Sequence, residues 1–172
     1  MANFDSPRGF EPIGHLTGGE IRTMEFTLTT GQRVYKGDML KGVAGGTVQV
    51  AAAGNNAEVI GIAAEYVYDS DSDGGMKVKV WVDPNIIFKV QSMSGQTPAL
   101  TDVFGTADID TYATGNNSTY LSVSELGAIS TGATDEWLVI GKVDSPDNAW
   151  GENVKLKVVR NEGFFSAGST GI

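Results

Sequence analysis

From Gln32 to Tyr68 the chain consists of short apolar runs separated by glycine, asparagine and aspartate, and this punctuation limits the possible folds more than any other feature. Arg33-Val34-Tyr35-Lys36-Gly37-Asp38-Met39-Leu40 is followed by Gly45-Gly46-Thr47-Val48-Gln49-Val50, then Gly54-Asn55-Asn56, then Glu58-Val59-Ile60-Gly61-Ile62-Ala63. Each run is the length of a strand, and each break carries residues that tolerate positive φ in tight turns. Nowhere does an i, i+3, i+4, i+7 apolar stripe persist over a helix-length window. The pattern predicts an all-β chain, a small β-barrel or sandwich-like domain with Gly-rich turns. The 23 glycines among 172 residues, about twice the usual share, fit many turns and few long elements.

Strands are expected at about 21–30, 33–40, 47–52 and 57–67. Met76, Val78, Val80 and Val82 alternate onto one face, and Ile86-Ile87-Phe88-Lys89-Val90 resumes the pattern after Pro84. These two runs read as neighbours joined by Asp83-Pro84-Asn85. Thr97–Phe104 has room for a short helical turn capped by Thr101 or Asp102. Tyr120, Leu121 and Val123 form a further short strand. Two last strands span about 136–143 and 154–159, with Val154, Leu156 and Val158 sharing a face.

Three segments follow from this reading. Residues 1–20 form an extended N-terminal arm, punctuated by Pro7, Gly9, Pro12, Gly14, Gly18 and Gly19. Its apolar residues Phe4, Phe10, Ile13 and Leu16 are too far apart for a helix face. The arm either lies along another molecule or packs on its own domain; both placements stand open. Residues 21–165 make one β-rich domain, and 166–172 a flexible C-terminal tail.

Charge and composition exclude several functions. A net charge of -9 opposes binding to a phosphate backbone, which needs clustered cations, so no nucleic-acid partner is expected. No run approaches the ~18 apolar residues of a membrane helix. The N-terminus lacks the basic and apolar regions of a signal peptide, so a soluble product of the cytoplasm is expected. Without cysteine there are neither disulfides nor thiolate metal sites.

Catalytic constellations are missing. His15 is the only histidine, placed in a Gly-rich segment where it reads as structural or exposed rather than catalytic. Gly42-Val43-Ala44-Gly45-Gly46 lacks the trailing Lys-Ser/Thr of a phosphate loop and reads as a hairpin turn. Asp69, Asp71 and Asp73 before Gly74 resemble the front half of a calcium loop. However, Val80 occupies the closing ligand position and no helices flank the loop, so a solvated hairpin tip is the stronger reading. Glu58, Glu65, Asp83, Glu125 and Asp135 supply carboxylates, but nothing places two of them on one cleft. Trp81 and Trp137 adjoin strand runs and read as core. Trp150, in a loop, is the best tryptophan for an intermolecular contact. No cofactor is implied, and the chain is not expected to be an enzyme.

Several segments together resemble a known family. Met1-Ala2-Asn3 with Ser6-Pro7-Arg8-Gly9-Phe10 and Pro12, Val34-Tyr35-Lys36-Gly37-Asp38-Met39-Leu40, Val59-Ile60-Gly61-Ile62-Ala63, and Val139-Ile140-Gly141-Lys142-Val143-Asp144 with Pro146-Asp147-Asn148-Ala149-Trp150-Gly151 are similar to head proteins of tailed bacteriophages. The chain looks like a capsid decoration, or cement, protein. That resemblance implies a structural virion protein, made in the host cytoplasm, that binds the outer surface of the capsid and stabilises the head lattice. Its partners would be the major capsid protein lattice and itself, as a homotrimer or a dimer. Phe4, Arg8, Phe10, Ile13, Leu16 and Trp150 are the expected capsid or protomer contacts, with exposed strand edges as further docking strips. A receptor- or carbohydrate-binding β-module of a phage fibre or head adhesin, using Trp150 and the 69–73 loop, is the alternative.

Overall fold

The structure, a computed structural model, describes residues 3–53, 58–70, 75–110 and 115–165. In chain order the strands are β1 Glu11–His15, β2 Thr23–Thr27, β3 Arg33–Val34, β4 Met39–Val43, β5 Thr47–Val50, β6 Val59–Ala63, β7 Val67–Tyr68, β8 Lys77–Trp81, β9 Ile86–Gln91, β10 Thr106–Ala107, β11 Gly115–Asn116, β12 Leu121–Ser122, β13 Trp137–Lys142 and β14 Lys155–Arg160. The chain is almost entirely β. Leu100–Asp102 is a 3-10 turn, in which Asp102 accepts the Ala99 N–H at 2.8 Å. Among the described residues no helix is long and apolar enough to cross a membrane.

Two five-stranded sheets pack in a sandwich-like arrangement. The first has the order β1-β9-β14-β13-β10 and the second β2-β8-β6-β4-β5. In the first sheet, Phe88 and Val90 of β9 and Leu156 and Val158 of β14 are buried, while Lys89, Lys155 and Lys157 point the other way. Such alternation marks an antiparallel sheet with one face on the core and one face open. The shared core is aromatic at its centre: Phe10 stacks on Trp137 at 4.4 Å between ring centroids, and Phe88 meets both rings edge-on.

The second sheet is covered on both faces at its middle strands, β4 and β6. Met39, Val59, Ile62 and Trp81 join the core shared with the first sheet. Leu40, Ile60, Ala63, Val78 and Val80 face the other way, into an aliphatic cluster with Leu28, Val34, Val48 and Val67. The sheet encloses that cluster by curling until its outer strands meet. Leu28 bridges Val48, the Thr29 N–H donates to Val48 O at 2.8 Å, and the Thr29 and Thr47 hydroxyls lie 2.8 Å apart. This is contact at one end without a continuous ladder, so the barrel stays unclosed. Arg160, at the end of β14, ties the sheets together, with Nη1 donating to Ile60 O at 3.0 Å. Burial lowers its pKa to about 10.

Three sequence expectations need correction. The runs 33–40 and 57–67 are each two strands: the left-handed Gly37 (φ 95°) and the Asp38 carboxylate, which accepts the Tyr35 N–H at 2.8 Å, turn the chain between β3 and β4, and residues 64–66 separate β6 from β7. The runs on either side of Pro84 are not neighbours: β8 belongs to the second sheet and β9 to the first. The Asp83 carboxylate there accepts both Asn85 N–H and Asn85 Nδ2, making the corner at which the chain changes sheets. Finally, the N-terminal segment is not an arm along its whole length. Phe10 is in the core and β1 pairs antiparallel with β9, so residues 10–15 are integral to the body. The tail 166–172 lies outside the described residues.

Candidate interaction surface

Residues 3–9 run over the open face of the first sheet and are fastened at two places, to the β13–β14 connection and to β9. Asn3 Nδ2 donates to Ala149 O (2.9 Å) and Glu152 O (2.8 Å), and Asn3 Oδ1 accepts the Ala149 N–H at 2.9 Å. On the other side of Phe4, Gln91 is the anchor. Its Oε1 accepts the Ser6 N–H at 3.0 Å, and its Nε2 donates at 2.8 Å to both Asp5 and Glu125. Burial raises the Glu125 pKa, with the Asp5 and Asp110 charges adding to the rise and the Gln91 hydrogen bond opposing it. The segment then dives inward at the left-handed Gly9 (φ 65°), where the Phe10 N–H donates to Gly37 O at 3.1 Å.

Between its two fastenings Phe4 stands out with 82% of its surface exposed. It forms a ridge between two hollows. One, of about 470 Å³, is lined by Phe4, Arg8, Glu11, Lys89, Gln91 and Lys155 among others. The other, of about 390 Å³, lies between Phe4, Pro146, Asn148 and Lys155. Asn148 shapes the second by clamping Val143 O and Lys155 O through its amide, each at 2.8 Å. In the first hollow Lys89 pairs with Glu11 at 2.5 Å, whereas Arg8 and Lys155 form no ion pair among the described residues.

The expected contact residues thus separate. Phe4 and Arg8 are exposed and share one hollow. Phe10 is corrected from surface anchor to core, 1% exposed, because the Gly9 turn and the stack on Trp137 take it inside. Ile13 and Leu16 are exposed further along, at the β1 edge. That edge is a poor docking strip, since Pro12 withholds an N–H and a bulge falls between Pro12 and Gly14. Trp150 is half-buried against the shared core, and Trp81 and Trp137 belong to that core. The carbohydrate reading therefore loses its freestanding tryptophan.

His15 is structural in its geometry. Its Nδ1 accepts the N–H groups of Thr17 and Gly19, so Nε2 carries the proton toward Asp83 Oδ2 at 2.9 Å. This hydrogen bond holds the Asp83 pKa below the usual carboxylate range. The other scattered carboxylates are each engaged locally: Glu58 with Lys41, Glu65 with the Lys79 N–H, and Asp135 with the Thr106 and Ser130 hydroxyls. For the calcium reading, Asp69 is fully buried at the end of β7, while Asp71 and Asp73 lie outside the described residues. No group of three metal-ligating side chains occurs among the described residues.

Sequence reasoning missed Lys89, Lys155 and Lys157. Their alternation with buried neighbours was readable, but the adjacency of β9 and β14 was not. Compared with known proteins, the chain matches no family model and no curated protein sequence.

Proposed function

We propose that the protein is a structural virion component that binds the outer surface of a bacteriophage capsid and stabilises the head lattice, acting through contact rather than catalysis. The observation that carries this reading is Phe4, an aromatic side chain held out 82% exposed by backbone fastened on both sides. An exposed aromatic on ordered backbone loses little freedom on docking, the usual property of an interface anchor. The Ser6–Phe10 and Pro146–Gly151 segments, on which the resemblance to capsid decoration proteins rests, both border this ridge. A one-domain β body, braced between its sheets by Arg160, suits a part that must keep its shape under load. Assembly as a homotrimer, or a dimer, would multiply a weak single contact through effective concentration.

The direct test is cosedimentation of the purified protein with empty heads of the phage that carries it, with light scattering to read its oligomeric state. Saturable binding and higher thermal resistance of the decorated heads are expected. Failure to cosediment at micromolar protein overturns the reading.

A further inference from the structure

We infer that the shell-facing side of the molecule is the open face of the first sheet, and that its occupant is a carboxylate-rich polypeptide segment seated in the hollow between Phe4, Arg8, Lys89 and Lys155. This rests on the proposed function and adds the face and the chemistry of the partner.

The charge arrangement carries the inference. The chain has 12 Lys and Arg against 21 Asp and Glu, yet Arg8, Lys89, Lys155 and Lys157 gather on this one face. Lys157 lies directly opposite Lys89 in the β9–β14 register, and Lys155 opposite Gln91. Like charges placed opposite each other weaken a strand pair, so the arrangement costs stability unless carboxylates offset it. Glu11 answers Lys89 and Asp144 answers Lys157 at 3.0 Å. Among the described residues Arg8 and Lys155 have no such partner, and both line the hollow of about 470 Å³ beside the Phe4 ridge.

An anionic group entering that hollow meets both, and an apolar neighbour in the same segment covers Phe4. The anion is assigned to carboxylate rather than nucleic acid because two unpaired cations beside an exposed aromatic suit a short segment with one or two carboxylates and an apolar neighbour, whereas a phosphate backbone needs a continuous track of cations. Complementary charge of this kind fixes orientation and partner choice.

The experiment compares three proteins in the empty-head cosedimentation assay: the unaltered chain, Arg8→Glu/Lys155→Glu, and Arg22→Glu/Lys77→Glu. The last pair alters net charge equally on exposed positions of β8 and the segment before β2 (side chains 64% and 81% exposed). Thermal melts establish that each is folded. At least a tenfold loss of affinity is expected for the first pair, less than twofold for the second, with poly-L-glutamate competing and poly-dT not. If the unaltered chain binds heads and Arg8→Glu/Lys155→Glu binds equally well, this inference falls while the proposed function stands. Equal losses in both pairs, or competition by poly-dT alone, also overturn it. If the unaltered chain does not bind, both fall together.

Discussion

The two sheets of this molecule are built from strands of similar length and composition, yet they do different work. The second sheet is covered on both faces at its centre, where β6 has no residue at the surface, while its β2–β8 side leaves Met24, Glu25, Lys77 and Lys79 exposed. The first buries one face only, and alternate residues of β9 and β14 are left to carry lysines. Where a sheet is covered twice it has no face left for a partner; that part contributes rigidity. A sheet covered once can be both wall and platform. The comparison predicts that substitutions will divide sharply. Those reaching the shared core or the doubly covered sheet should cost stability, and those on the open face should cost binding alone.

The largest expected effect is Phe10→Ala. Removing a fully buried aromatic that stacks on Trp137 should destabilise by about 3–5 kcal/mol, which for a chain of this size lowers the melting temperature by roughly 6–20 °C. Deleting residues 2–19 should be worse still, because it removes both Phe10 and the whole of β1. Thermal melting by circular dichroism checks both. A truncated protein that melts like the intact one would show that the N-terminal segment is dispensable to the body.

Asp38 comes next, at the turn that feeds the doubly covered sheet. Burial pushes its pKa to about 6, against the opposing pull of the Ser122 hydroxyl and the Tyr35 N–H. Because the folded state holds this proton more tightly than the unfolded chain, the ionised group costs stability above pH 6. The cost falls away as pH drops from 6 toward 4 and is gone below the unfolded value, up to about 3 kcal/mol in all. Glu125, also raised by burial, acts in the same direction. Asp83 and Asp144, whose pKa values are lowered, act oppositely and only at lower pH. Stability should therefore rise between pH 7 and about pH 4.5, and Asp38→Asn should remove most of that rise. Denaturant melts of both proteins at several pH values give the comparison.

Gly61→Ala probes the doubly covered sheet itself. A Cβ at Gly61 would collide with the Trp81 carbonyl on β8, so the two strands must part, at a cost of about 1–3 kcal/mol. The same substitution at Gly14, where a Cβ meets only the Ile87 side chain at 3.7 Å, should be nearly silent. Equal losses at both positions would deny the difference between the sheets.

How much of this was readable beforehand follows from which interactions are local. The all-β class, the Gly42–Gly46 hairpin and the inward faces of β8 and β14 come from alternation and turn chemistry, which act within a few residues. The change of sheet at Asp83 was not readable, because a turn of Asp, Pro and Asn suits a hairpin as well as a corner. The place of Phe10 was not readable either. Its neighbours Gly9 and Pro12 suggest a loose extended strand, and only the distant Trp137 draws the ring inward. The candidate surface was half legible: Phe4 and Arg8 stand together in sequence, whereas Lys89 and Lys155 reach them only through the β9–β14 pairing.

The smallest expected effect on stability is also the one that most sharpens the contrast. Phe4→Ala removes a larger side chain than most core substitutions do, only six positions before Phe10. Yet with 82% of the residue already in water, its loss should change stability by less than about 0.5 kcal/mol. The fastening hydrogen bonds belong to Asn3, Asp5, Ser6 and Gln91, not to the ring, so the backbone should hold its course. Affinity for capsids should nonetheless fall by about tenfold or more, as for an anchored aromatic lost from an interface. A variant with unchanged melting and unchanged binding would leave the ridge without a function. One with lowered melting would mean that Phe4 packs on the body, and the open face would have to be redrawn without it.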